Sequence, residues 1–316
     1  MQTRHAKYEH LLERCTLSPP TVTAIAHPCD EASLRGAVEA ADRGLITPVL
    51  IGPVGKIQGV AKQHSIDISR YELINAPHSQ AAAEIAVRLV REGKAELLMK
   101  GSLHTDELMS AVVARDTGLR TARRISHCFV MDVPILEQAI IITDAAVNIF
   151  PTLEDKVHII QNAIDLAHAL GKSQPKVAIL SAMETVNAKV QSTIDAAALC
   201  KMAERGQITG GILDGPLALD NAIDLNAAKI KKIESPVAGR ADILVVPDLE
   251  AGNMLAKSLS FLADADAAGI VLGTRVPIIL TSRADSVMAR LASCAVAALV
   301  GNASRRSASQ AVSHAA

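Results

Sequence analysis

The chain has 316 residues, 49% of them hydrophobic and 21% charged. That is enough apolar material for one large or two ordinary domains, and too much for a disordered polymer. A formal net charge of −1 and an aromatic content of 2%, with no tryptophan, exclude the basic, base-stacking surface of a nucleic-acid binder. The five cysteines (Cys15, Cys29, Cys128, Cys200 and Cys294) are odd in number and widely spaced. They read as reduced thiols, neither a disulfide framework nor a zinc site. The opening MQTRHAKYEHLLERC has no apolar stretch of signal-peptide length, and no uninterrupted apolar run approaches the roughly 20 residues that span a bilayer. A cytoplasmic protein without a membrane partner is expected.

In chain order, short β-branched runs alternate with alanine-rich helical stretches. TVTAIA (21–26) predicts a strand, and EASLRGAVEAADRG a helix after it. PVLI (48–51) and YELI (71–74) predict strands, SQAAAEIAVRLVREG a helix, and ELLMK (96–100) a strand leading to a helix near 106–115. This order predicts right-handed βαβ crossovers and a parallel sheet with helices on both faces. SHCFVMDV (126–133) and AIIITDAA (139–146) are too close for a helix between them and predict an antiparallel pair. The alternation then resumes: helix to about 169, strand 176–182, helix to about 205, strands at ILDGP and ADILVVPD, a helix from Gly252, strands AGIVLGT and PIILTS, and a last helix from near Asp285. The tail from Asn302 is small and polar and is expected to be mobile.

Several motifs are absent. GPVGK (52–56) lacks the spacer and the hydroxyl residue of a P-loop, and neither GxGxxG, GxSxG nor HExxH occurs. Asp220 and Asp224 lie four apart. On a helix they would share a face, where they suit either Mg²⁺ or a helix N-terminus.

Four segments fall at strand ends, the place where open parallel sheets bind ligands. MKGSLHTDEL supplies Lys100, a tight turn at Gly101, His104, and Thr105 or Asp106 as a helix cap. That helix start offers N–H groups to an anion. ILDGPLALD carries Asp214, Gly215 and Pro216, which read as a sharp turn after a strand. VVPDLEAGNMLAKSL ends a strand at Asp248 and opens a helix with Gly252 and Asn253 that carries Lys257. PIILTSRADS brings Ser282, Arg283 and Asp285 into one turn, where a hydroxyl, a guanidinium and a carboxylate can bind an oxyanion and move a proton. Each segment also reads as an ordinary capped joint.

Together, KGSLHT (100–105), RRISHCFVMDVP (123–134), ITDAAVNIFPTLEDK (142–156), ILDGPLALDNAI (212–223), PDLEAGNMLAKSL (247–259) and TSRADS (281–286) resemble the phosphate acetyltransferase and phosphate butyryltransferase family. The resemblance implies an α/β fold of two parallel-sheet, three-layer domains flanking a cleft, like the isocitrate and isopropylmalate dehydrogenases. It implies a first, discontinuous domain over 1–135 plus 278–316, a second over 136–277, and a homodimer. The implied reaction converts acyl-CoA and inorganic phosphate to acyl phosphate and CoA, with coenzyme A and phosphate as substrates and no bound cofactor or metal. Ser282 and Arg283 match the family's Ser-Arg pair as catalytic residues. The acetyltransferase carboxylate lies six positions after the arginine, where this chain has Ala289, so Asp285 is the candidate for the thiol proton. The acetyltransferase arginine before the AxGI stretch is also missing, with Ser260 and Phe261 in its neighbourhood, so phosphate falls to Arg123, Arg124, Lys100 and the helix start near Thr105. Two other readings share the scaffold: a metal-dependent β-decarboxylating dehydrogenase, and a non-catalytic acyl-CoA-binding sensor.

Overall fold

The computed structural model describes residues 6–281 and 285–315. The chain separates into two compact units. The terminal unit comprises Tyr8–Arg123 and the chain from Ala268 onward, and the central unit comprises Arg124–Ala267 with the chain up to Lys7. In order, the terminal unit is built from α1 (Ala6–Thr16), β1 (Thr21–Ala26), α2 (Glu31–Asp42), β2 (Ile46–Gly52), α3 (Val54–Gln63), β3 (Glu72–Asn75), α4 (Ser79–Arg91), β4 (Leu97–Lys100) and α5 (Thr105–Val113). The central unit follows with β5 (Ser126–Asp132), β6 (Ile140–Thr143), α6 (Leu153–Ala169), β7 (Lys176–Leu180), α7 (Gln191–Glu204), β8 (Ile212–Leu217), α8 (Leu219–Ile223), α9 (Leu225–Ile230), β9 (Ile243–Val245) and α10 (Leu249–Leu262). The chain returns to the terminal unit through β10 (Asp266–Leu272), β11 (Ile278–Ile279) and α11 (Val287–Ala315).

The terminal strands lie in the order β3-β2-β1-β4-β11-β10, all neighbours parallel except the antiparallel β10–β11 pair. The apolar runs read as strands are there because both faces are covered: Ala24, Ile25, Leu50, Ile51, Leu97 and Leu98 are fully buried. α4 packs on β1 and β2, and α11 packs on β4, β11 and α2. Between Val287 and Arg306, α11 is long and apolar enough to cross a membrane, yet 72% of its most apolar window is buried in the protein. It is a core helix by placement. The tail expected to be mobile instead continues this helix to Ala315: nothing after Gly301 breaks it, and Arg305 pairs with Glu96.

The central strands run β5-β6-β9-β7-β8, with β5 and β6 antiparallel as expected and the others parallel. Met131, Ile142, Leu180, Leu217, Leu244 and Val246 form its core. Asp214, Gly215 and Pro216 do not make a turn after a strand. They lie within β8. β8 ends the strand order, and its register with β7 shifts beyond Ala178, so a residue without an N–H is accommodated. Lys156 of α6 and Asp195 of α7 form a buried ion pair of 2.6 Å. Asp220 pairs with Lys231 at 3.2 Å and Asp224 caps α9, so both carboxylates of the sequence pair have structural work. No group of three or more metal-binding side chains occurs among the described residues.

His127 of β5 is fully buried, edge-on to Phe129 at 4.4 Å, and its Nδ1 has no hydrogen-bond partner among the described residues. Burial pushes its pKa down to about 4 against an opposing pull from Asp144. The unfolded chain therefore binds more protons than the native one below the ordinary histidine range, and stability falls as pH drops from about 6.5 toward 4. Unfolding free energies from denaturant titrations at pH 7.5 to 4.5 should decline more steeply for the native sequence than for His127→Phe, by up to about 1.4 kcal/mol per pH unit. Parallel curves would show that His127 does not carry the proton.

Candidate functional site

The carboxyl edge of the terminal sheet gathers the ends of five parallel strands. His27 follows β1 in a left-handed conformation (φ 57°), its N–H donating to Ile51 O at 2.7 Å. Ser102 follows β4 and ties the two ends together. Its Oγ donates to His27 O at 2.8 Å, accepts from Cys29 N–H at 3.2 Å and lies 3.0 Å from His27 Nδ1. Gly101 makes this approach possible, because a Cβ there would meet Ala26 O at 2.4 Å and His27 O at 2.5 Å. Lys100 is buried, with Nζ 3.4 Å from Gly101 O. Helix α5 is entered at His104, not at the Thr105 or Asp106 cap read from sequence, because Glu107 reaches back to accept the His104 N–H at 2.8 Å. Thr105 is the first helical residue.

β11 runs parallel to β4, with Ile279 opposite Met99, so the chain leaves both strands at this same edge. Ser282 and Arg283 lie outside the described residues. Asp285 is half-buried, and Ser286 caps α11 by accepting the Ala289 N–H at 3.0 Å. Ala289, at the position of the acetyltransferase carboxylate, is buried in the core. Arg123, half-buried, has its N–H on Thr121 Oγ1 at 3.0 Å.

Burial, then the nearby Lys56 ammonium, holds His27 below the usual imidazole range, so it is neutral at pH 7. Burial pushes the Cys29 thiol up to about 11. A thiol so protonated is no nucleophile, and this edge is suited to binding an anion rather than to forming a thioester.

The central edge is organised by the loop after β6. Asp144 is buried, and its carboxylate accepts N–H groups from Ala146 at 3.0 Å, Val147 at 3.1 Å and Asn148 at 3.1 Å, and the Asn148 side-chain amide at 2.5 Å. Asn148 Nδ2 also donates to Ile125 O at 2.8 Å, and its Oδ1 accepts from Arg124 Nε at 2.8 Å. Because β5 is antiparallel to β6, Arg124 at the start of β5 stands at the same edge as the end of β6. Asp155 Oδ1 lies 3.4 Å from the same Nε.

Helix α10 abuts this loop. Asp248 caps it by accepting the Ala251 N–H at 2.8 Å. Gly252 and Asn253 therefore lie inside the helix instead of opening it, and the Gly252 N–H is used on Asp248 O at 3.2 Å. The glycine serves packing: a Cβ would stand 2.8 Å from Asp144 O and 3.0 Å from Ala145 Cα. Asn253 Nδ2 donates to Ala145 O at 3.3 Å. Lys257 is exposed further along the helix. Asp214–Pro216 do not join this group, since β9 and β7 separate β8 from β6.

Sequence reasoning named Arg124, Asp248, Gly252 and Asn253 but not the Asp144–Asn148 hub that holds them, nor His27 and Ser102. ITDAAVN was the available signal: an Asp four residues before an Asn, directly after an apolar strand.

The family described as "Phosphate acetyl/butaryl transferase" matches residues 79–298. A phosphate acetyltransferase of Rhizobium meliloti is 67% identical over 305 residues, 96% of each chain. A phosphate butyryltransferase of Clostridium beijerinckii is 41% identical, over 93% of this chain and 97% of its own. Among solved structures, a branched-chain phosphotransacylase from Enterococcus faecalis V583 superposes with a TM-score of 0.78 at 30% identity, covering 89% of this chain and 99% of that one. A 4-hydroxythreonine-4-phosphate dehydrogenase from Burkholderia phymatum superposes with a TM-score of 0.52 at 13% identity, over 90% and 99%, a likeness of fold alone. With the family matched over more than half its length and a relative at this identity spanning nearly all of it, the chain belongs to the phosphate acetyl/butyryl transferase family.

Proposed function

We propose that this protein is a phosphate acyltransferase that converts acyl-CoA and inorganic phosphate to acyl phosphate and CoA, with acetyl-CoA as the preferred donor. The observation that carries the reading is the 67% identity, over 96% of both chains, to a relative named phosphate acetyltransferase. The dehydrogenase reading loses its one support, because Asp220 and Asp224 are engaged by Lys231 and by the start of α9. The sensor reading has no observation in its favour.

In this reading a phosphate oxygen attacks the thioester carbonyl carbon, the carbon–sulfur bond breaks, and the CoA sulfur leaves and takes up a proton. Ser282 and Arg283 stabilise the oxygen that turns negative at the carbonyl. Asp285, the carboxylate next along from the Ser-Arg pair, handles the thiol proton. Lys100, His104 and Thr105 at the start of α5 are proposed to bind substrate anions, helped by the helix N-terminus. Arg123 is a second candidate. In the central unit Arg124 is proposed as a phosphate ligand: its side chain is 53% exposed, Nε is fixed, and the two terminal nitrogens have no partner among the described residues. Asp248, Gly252, Asn253 and Lys257, and Asp214–Pro216 on β8, complete the proposed substrate surfaces.

A homodimer is part of the proposal. Met254, Phe261 and Leu262 are exposed along α10, at 61%, 79% and 86%, an apolar stripe of the kind a partner covers. Reduced cysteines, none paired, are in keeping with the cytoplasm.

Thiol release from acetyl-, propionyl- and butyryl-CoA, with and without phosphate, tests the reaction. It should depend on phosphate and yield acyl phosphate. A pocket that fits acetyl is overpacked by two further methylenes, at a cost of about 1–3 kcal/mol, so kcat/KM should be about tenfold higher for acetyl- than for butyryl-CoA. CoA binding without turnover of any of the three would return the protein to the sensor reading. Arg283→Ala should lower kcat by at least about tenfold at unchanged thermal stability, and a variant with normal kcat would remove Arg283 from the chemistry. Gly252→Ala should cost about 1–3 kcal/mol and lower turnover, because its Cβ drives α10 from the Asp144 loop. An unchanged melting temperature would refute that packing role.

A further inference from the structure

We propose that Asn148 is a positioning residue for inorganic phosphate, acting through Arg124. The inference rests on the reading of Arg124 as a phosphate ligand and adds how that arginine is aimed. An arginine on an exposed strand end has many rotamers, and a guanidinium that binds an anion well is one already oriented. Asn148 supplies the orientation. Its side chain is buried, and its amide orientation is settled by two acceptors on the Nδ2 side: Asp144 Oδ2 at 2.5 Å and Ile125 O at 2.8 Å. That leaves Oδ1 facing Arg124, and Oδ1 takes the Nε–H at 2.8 Å.

The residue on the far side of the arginine is fixed as well. Asp155, 3.4 Å from Nε, belongs to the capping box of α6, where its Oδ2 accepts the Thr152 N–H at 3.1 Å. The Arg124 carbonyl is held by Asn162 Nδ2 at 2.9 Å. Backbone and Nε are thereby immobilised, while the terminal nitrogens, which form the bidentate fork for a tetrahedral anion, stay available. The buried carboxylate of Asp144 is the anchor: it is saturated by its own loop, so its charge fixes Asn148 and does not reach Arg124 directly.

Steady-state kinetics with phosphate varied at saturating acetyl-CoA test this on Arg124→Ala, Asn148→Ala, their double variant and Arg124→Lys. Arg124→Ala should raise the phosphate KM at least tenfold. Asn148→Ala should raise it about five-fold, with the acetyl-CoA KM within twofold of the native value. The double variant should be no worse than Arg124→Ala alone, because a positioning residue has nothing left to position. Arg124→Lys keeps the charge at an exposed site but has no Nε–H for Asn148, and should raise the phosphate KM like Asn148→Ala. It decides the matter if Asn148→Ala does not fold. Effects that add in the double variant, or a native phosphate KM in Asn148→Ala or Arg124→Lys, would overturn the proposal. A native phosphate KM in Arg124→Ala would instead remove the phosphate role of Arg124 itself.

Discussion

One buried carboxylate governs the carboxyl edge of the central unit. Asp144 receives three backbone N–H groups and a side-chain amide, which turns five residues of loop into a rigid bracket. A carboxylate removed from water is tolerated only when its lone pairs are filled, and here the loop fills them. From this bracket Asn148 reaches Arg124, Ala145 O receives Asn253, and Asp144 O leaves room for no more than the hydrogen of Gly252. His127, buried beside it, is kept neutral, so the carboxylate's interactions are not diverted into an ion pair.

The terminal unit reaches the same end by different means. Its edge carries a buried ammonium, Lys100, in place of a buried carboxylate. Two strand ends are laced by one serine hydroxyl, and the spacing is so tight that only glycine fits at position 101. The thiol on this edge is held protonated and the imidazole neutral, in both cases chiefly by burial.

The alternation of strand and helix was legible because each parallel strand is buried on both faces and so writes an apolar β-branched run. The end of α6 near 169 was legible too, whereas its start is set by the Thr152–Asp155 capping box. α3 was not legible: Pro53, Gly55 and Gly59 look like loop punctuation, and only packing on β2 and β3 makes a helix of them. Asp-Gly-Pro was misread as a turn because its acceptability in β8 depends on that strand being last in the sheet, which no local pattern records. The resemblance carried the family. The His27–Ser102 lacing joins strand ends distant in sequence and leaves no local pattern, whereas the Asp144 bracket is local and lies within ITDAAVN.

The division of the chain has a consequence for how it becomes folded. The terminal unit is interrupted: β4 has β1 on one side, but its other neighbour, β11, and the covering helix α11 are made only after the whole of the central unit. During synthesis the whole of the central unit is in hand first, while Leu97, Leu98 and Met99 wait with one edge and one face uncovered. Closing a sheet across so long an interval is slow, and an open apolar strand edge is the surface on which chains aggregate. The last fifty residues are therefore the step that converts a vulnerable intermediate into a closed domain, and the ones whose loss the chain should tolerate least.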